Sequence, residues 1–139
     1  AELLHLEITE SAYMEAPEQL IGAVTKLRAA GFVVEMDDFG SGYSSLNTLK
    51  DVPVDVLKLD KSLVDKIDRD KVSGQIVKHI ISMCHDMKIQ TIAEGIEEEL
   101  QEAYLKKCRC MIGQGYLYGK PMEVEAFEKD FLMRKLDRV

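Results

Sequence analysis

One feature constrains this chain more than any other. Short apolar runs of strand length alternate with amphipathic stretches of helical period, and nearly every apolar run ends in a charged or amide side chain. Leu3 to Ile8 reads as a strand with acids at Glu7 and Glu10. Pro17 opens a helix that carries Leu20, Ile21, Val24 and Leu27 on one face and closes at Gly31. Phe32 to Met36 reads as a buried strand ending at Asp37-Asp38, followed by the Gly40-Ser41-Gly42 loop and a short helix through Leu49 capped by Ser44 or Ser45. Val54 to Leu59 is a third strand, with Lys58 and Asp60 at its end and a short helix near Leu63-Val64 beyond it. A longer helix follows from about Lys71 to Met87, with Ile76, Ile80, Cys84 and Met87 as its expected apolar stripe. Lys88 to Ala93 ends at Glu94-Gly95, and an acid-rich helix, Glu97 to Lys107, comes next. A weaker strand, Arg109 to Ile112, ends at Gln114-Gly115-Tyr116, and Glu123 to Lys135 reads as a closing helix.

Strands alternating with helices pair in parallel through right-handed crossovers. Glu7, Asp37, Lys58, Glu94 and Gln114 then fall at the carboxyl ends of five different strands. In a (β/α)8 barrel that rim carries the active site. A doubly wound open sheet would also bind a ligand at its strand ends, but it rarely presents polar groups on five ends in succession. The expected fold is α/β: a partial (β/α)8 TIM barrel of about five parallel strands alternating with helices. Residues 1–139 are expected to form the carboxyl-terminal part of one domain, with about three strands lying before Ala1.

The net charge of −7 argues against broad binding to duplex nucleic acid, which depends on Lys and Arg against phosphates. It is compatible with a small phosphorylated ligand, because metal ions can supply positive charge locally. Cys84, Cys108 and Cys110 form no disulfide framework, which suggests a reducing compartment. On a strand, Cys108 and Cys110 would share a face as a core or partly exposed thiol pair. No apolar run approaches the roughly 20 residues that span a bilayer. His5, His79 and His85 make no motif, and the seven methionines fit gap-filling in a core. Glu98 and Glu99 read as a solvated face at a helix start, and Tyr116 and Tyr118 suit core packing or stacking on a base.

Adjacent aspartates repel, and on a regular strand they would point to opposite faces. At a strand end both can turn toward one cation. Carboxylates are the preferred ligands of Mg²⁺, which also keeps several waters. Glu7 on the next strand would add an oxygen. Two such ions, roughly 3.5–4 Å apart, can activate water for in-line phosphoryl displacement. Lys58 could hold the water or offset phosphate charge, and Glu94 could accept its proton. A purely structural or solvated role for the acids remains the alternative at this level.

Five motifs, in order from Glu7 to Pro121, resemble those of the EAL domain family. Leu6-Glu7-Ile8-Thr9-Glu10 resembles E-x-T-E, and Asp37-Asp38-Phe39-Gly40-Ser41-Gly42-Tyr43-Ser44-Ser45-Leu46 resembles D-D-F-G-[ST]-G-Y-S-S-L. Lys58-Leu59-Asp60 is similar to K-I-D, and Glu94-Gly95-Ile96-Glu97 to E-G-V-E. Gln114-Gly115-Tyr116-Leu117 with Lys120-Pro121 resembles Q-G-Y-x-[FY]-x-x-P. The resemblance implies a barrel that hydrolyses cyclic di-GMP to linear pGpG with Mg²⁺ or Mn²⁺. It implies Glu7, Asp37 and Asp38 as metal ligands, Asp37 bridging two ions. It implies that Lys58 and Glu94 position the water, with Glu94 as base and Gln114 nearby, and that Glu97 and Pro121 shape the substrate pocket. It also implies that Glu10 holds the Asp38–Ser44 loop (Phe39, Gly40, Ser41, Gly42, Tyr43, Ser44), which couples dimerisation to metal binding. The family's Glu-Ala-Leu segment and an upstream Asn ligand have no counterpart in this sequence. The expectation is therefore that the 139-residue chain alone lacks useful activity and forms a homodimer, by strand exchange across open sheet edges. Non-catalytic binding of cyclic di-GMP, or of a protein, is the competing reading. The implied setting is cytoplasmic, or the cytoplasmic face of the inner membrane, with a sensor or GGDEF domain possible upstream.

Overall fold

The computed structural model describes residues 1, 3–41 and 46–133. Among these, five strands form one parallel sheet in sequence order: β1 (His5–Thr9), β2 (Val33–Phe39), β3 (Val56–Leu59), β4 (Gln90–Ala93) and β5 (Ile112–Gly113). Between them run α1 (Glu10–Glu15), α2 (Pro17–Ala29), α3 (Leu46–Asp51), α4 (Lys61–Val64), α5 (Lys71–Asp86) and α6 (Glu99–Lys107). After β5 comes α7 (Val124–Phe127), which passes into a π-helical turn, Glu128–Met133. Sequence order with parallel pairing is the arrangement of consecutive barrel strands, and the expected partial (β/α)8 architecture is what the chain adopts.

The register divides the sheet into two chemical faces. Ile8, Met36 and Leu57 are cross-strand neighbours, as are Leu59 and Ala93. Met36, Leu57, Leu59 and Ala93 join the core cluster with Val77, Ile81 and Cys84 of α5 and Leu105 of α6, and the partly buried Ile8 packs against it. The alternate positions Glu7, Glu35, Val56, Lys58 and Ile92 face the other way. This second face is largely polar, and the buried Glu35 accepts a bond from His5 Nδ1 at 2.5 Å. One face therefore holds the sheet to its helices, and the other leads up to the strand ends.

Several expectations need correction. The buried stripe of α5 is Gly74, Val77, Ile81 and Cys84, whereas Ile76 and Met87 are exposed. Apolar pairs at 76–77 and 80–81 leave the helical phase ambiguous. Packing settles it, because Gly74 must admit the Tyr104 ring, whose hydroxyl lies 2.8 Å from where a Cβ would stand. Cys108 and Cys110 are not on a strand: Cys108 caps α6, and Arg109 turns the chain with φ +69°. The fifth strand shrinks to Ile112–Gly113. Helix α1, which buries no residue, carries no sequence period and was not anticipated. Tyr116 and Tyr118 are exposed rather than in the core. Ser44 and Ser45, the expected caps of α3, lie outside the described residues. No helix among the described residues is long and apolar enough to cross a membrane.

Candidate active site

A local break in the pleat brings both aspartates to one side. Met36 pairs with Leu57, and Phe39 pairs with Leu59, so β2 spends three residues where β3 spends two. That is a β-bulge. It returns Phe39 to the apolar face, where it is 2% exposed, and inserts Asp37 and Asp38 between two core residues. Asp38 accommodates the extra residue by adopting φ +56°, a left-handed conformation that Asp tolerates better than bulkier side chains. Gly40 follows at φ +101° against Leu63, where a Cβ would come within 2.3 Å of the leucine Cδ1. Phe39 and Gly40 thus act as packing residues that hold the bulge in place.

Lys58 occupies the centre of the rim. Its Nζ lies 2.7 Å from Glu7 Oε1, 2.8 Å from Asp37 Oδ1 and 3.0 Å from Glu94 Oε1. Three strands therefore send a carboxylate to the lysine of a fourth. The lysine side chain is 8% exposed and Glu7 is 52% exposed, so the cluster opens toward solvent on the β1 side. Burial works against the Lys58 charge, but the Asp37, Glu7 and Glu94 carboxylates outweigh it and hold the ammonium above its ordinary pKa. Burial pushes the Glu94 carboxyl up, and the charges of Asp37 and Asp38 push the same way. Lys58 offsets this only in part. Gln114 Nε2 donates to Glu94 Oε1 at 2.6 Å, which brings in the fifth strand end.

The acids suit a divalent cation. Asp37, Asp38 and Glu94 can each offer one oxygen, all within 4.8 Å of one another. The buried Asp37 Oδ1 lies close to Lys58 Nζ but in a geometry that leaves it without a hydrogen bond. Hard carboxylate oxygens are the donor set for Mg²⁺ or Mn²⁺. Glu7, the other expected ligand, reaches Lys58 and stands outside that three-carboxylate group.

Beside the rim lies a cavity of about 770 Å³ lined by Lys61, Glu97, Gln114, Tyr116, Pro121 and Phe127, among others. Glu97 and Pro121 both line it. Lys61, which the sequence reading did not single out, pairs with Glu97 at 2.6 Å. The only hint in the sequence is its place directly after the strand-end Asp60. Glu10 is half-buried at the start of α1, and Ser41 is exposed. Gly42, Tyr43 and Ser44 lie outside the described residues.

The EAL domain family pattern matches residues 1–121. The chain belongs to that family. It is 38% identical over 126 residues to the cyclic di-GMP phosphodiesterase NbdA of Pseudomonas aeruginosa, covering 91% of this chain and 16% of NbdA. It superimposes on the EAL enzyme Bd1971, in a form bound to cAMP and cyclic di-GMP, with a TM-score of 0.85 at 38% identity, covering 92% of this chain and 34% of that one. The manganese and cyclic di-GMP complex of Klebsiella pneumoniae BlrP1 gives a TM-score of 0.79 at 32% identity, covering 84% of this chain and 30% of BlrP1. This EAL chain therefore spans about a sixth of NbdA and about a third of the two solved relatives.

Proposed function

We propose that this EAL chain carries the water-activating side of a metal-assisted phosphodiesterase site that opens cyclic di-GMP to linear pGpG. The observation behind this reading is the Lys58 ammonium held between Glu7, Asp37 and Glu94, with Gln114 on Glu94. The names of its relatives supply the substrate. Asp37 and Asp38 would hold divalent cations, Mg²⁺ or Mn²⁺, and Glu7 would add an oxygen from β1 by turning from Lys58 to the ion. When bound, such ions lower the pKa of water and offset charge on the phosphate. Glu94 is the general base: its raised carboxyl pKa brings it closer to neutrality, where a base works best. Gln114 and Lys58 both engage Oε1, which orients Oε2 for the proton. Lys58 also places a positive charge beside the non-bridging phosphate oxygens.

The test is Glu94→Gln in the protein as its gene encodes it. Hydrolysis of cyclic di-GMP should fall on the order of 10²–10⁴-fold while binding persists. A variant that turns over at the wild-type rate would refute the assignment. The chain covers a minor share of its relatives, so we propose that the 139-residue piece alone hydrolyses poorly. Robust manganese-dependent turnover by that piece would overturn this.

A second property, self-association of the piece, is supported by the sheet edges. β1 and β5 each have one strand neighbour, and Leu3, Leu4, Met111 and Ile112 are exposed beside them. Such edges recruit further strands, here from a second copy. A clean monomer by light scattering at high concentration would count against it.

A further inference from the structure

The cavity beside β4 and β5 is walled by a short turn, Gly95 to Glu97, that follows directly from the proposed base. Two separate elements hold this turn. From α6, Gln101 Oε1 accepts the backbone N–H groups of Glu97 at 2.9 Å and Glu98 at 3.0 Å. From α4 comes Lys61. Its aliphatic stem lies so close on Gly95 that a Cβ there would stand 2.5 Å from Lys61 Cγ and 2.6 Å from its Cβ, and Gly95 has φ +68°. Its ammonium lies 2.6 Å from Glu97 Oε1 and 3.2 Å from Asp65 Oδ1. Lys61 is itself fixed at the first position of α4. The Asp60 carboxylate accepts Ser62 N–H at 2.9 Å, and Asp60 N–H donates to Phe39 O at 3.0 Å. A continuous path therefore runs from the aspartate bulge, through Asp60 and Lys61, to the Glu97 carboxylate on the cavity wall.

We propose that Lys61 is a positioning residue for substrate recognition: it sets the Glu97 carboxylate as an acceptor for the N–H edge of a nucleobase entering the cavity. This rests on the phosphodiesterase reading above. Two features separate the role from mere stabilisation. Lys61 and Glu97 are 45% and 47% exposed, and a pair so solvated contributes little to folding. Both also line the cavity, so orientation of Glu97 is felt by whatever enters it. Without the ammonium the carboxylate gains rotamer freedom, and its ordering would then be charged to ligand binding. The stem, by contrast, keeps the Gly95 turn in place even without the charge.

The experiment uses the protein as encoded, with Lys61→Met (which keeps the stem and removes the charge), Lys61→Arg, Glu97→Gln and the double variant Lys61→Met/Glu97→Gln. Cyclic di-GMP binding is measured by calorimetry in calcium, and KM and kcat in manganese. Lys61→Met should raise Kd and KM by about five- to tenfold, the scale of one charge-assisted contact, with kcat within about twofold and Tm unchanged. Lys61→Arg should restore binding, and the double variant should bind no worse than Glu97→Gln. Unchanged Kd in Lys61→Met, additive losses in the double variant, or a fall in kcat at constant Kd would each overturn the proposal. A wild-type protein that neither binds nor hydrolyses cyclic di-GMP would defeat the phosphodiesterase reading and this inference with it. A wild type that does both, with Lys61→Met indistinguishable from it, would defeat this inference alone.

Discussion

Replacing Lys58 by Met tests whether the rim is an electrostatic cluster or a set of independent surface groups. The substitution keeps the stem and removes the one cation shared by Glu7, Asp37 and Glu94. Losing one partner of a fully buried pair costs about 3–5 kcal/mol, because the other charge is left uncompensated. Here Glu7 is 52% exposed and solvent screens part of the field, so the expected loss is about 1–2 kcal/mol. For a chain of this length that is a fall in Tm of about 4–8 °C. The pH dependence gives the sharper criterion. Glu94 has a folded pKa above 4.5, so its contribution to stability is fully present below 4.5 and is lost as pH rises through the folded value. Lys58 restrains that rise, and without it the Glu94 pKa climbs further. The stability gap between wild type and variant should therefore be smaller at pH 4.5 than at pH 7.5. Calorimetric melts in metal-free buffer at the two pH values make the measurement. A gap that is equal at both, or absent at pH 7.5, would refute the argument.

Other substitutions probe the backbone and the thiols. A Cβ at Gly115 would lie 2.2 Å from Ile96 O and 2.3 Å from Ile96 N. Gly115→Ala should thus displace the neighbouring Gln114 and lower turnover by about 100-fold, the scale expected when a catalytic group moves by roughly 1 Å. Gly22→Ala meets nothing within 4 Å in α2 and should instead raise stability by about 0.5–1 kcal/mol, as read from thermal melts of the pair. Burial pushes the Cys84 thiol up to about 11. Native alkylation at pH 8 followed by mass spectrometry should label the half-buried Cys108 well before Cys84, and preferential labelling of Cys84 would contradict the packing of α5.

Much of the site was legible in the sequence because it depends on strand ends, and strand ends are marked by where an apolar run stops. Glu7, Asp37, Lys58, Glu94 and Gln114 could be placed on one rim from that signal alone. Which of them would touch could not. The Glu7–Lys58 contact joins residues 51 positions apart, and it exists because β1 and β2 pair Glu7 with Glu35 while β2 and β3 pair Glu35 with Val56. Register is a property of the assembled sheet. The bulge was equally hidden: its sequence shows only two aspartates before a phenylalanine, and the extra residue is evident only once Met36 and Phe39 are seen on the same face. The phase of helix α5 is hidden in the sequence for a related reason, since its apolar pairs permit two stripes and Tyr104 of α6 selects between them. Lys61 escaped notice because a lysine at the start of a short helix is unremarkable until the neighbouring loop is folded against it.

The rim also has a consequence for how ligand binding and folding are linked. Its charged groups come from four successive strand ends, with Asp37 and Asp38 sharing β2, and the contacts at the rim bridge separations of 51 and 20 residues. An ion or phosphate held there would act as a clasp across separate strands, and fraying of any one of them would release it. Affinity at the rim should then track the integrity of the whole sheet, and saturating ligand should stabilise the chain in proportion to the logarithm of its concentration over Kd. Amide exchange in β1 and β5, the two outer strands, would slow first and most on binding, because those are the strands with the least else to hold them.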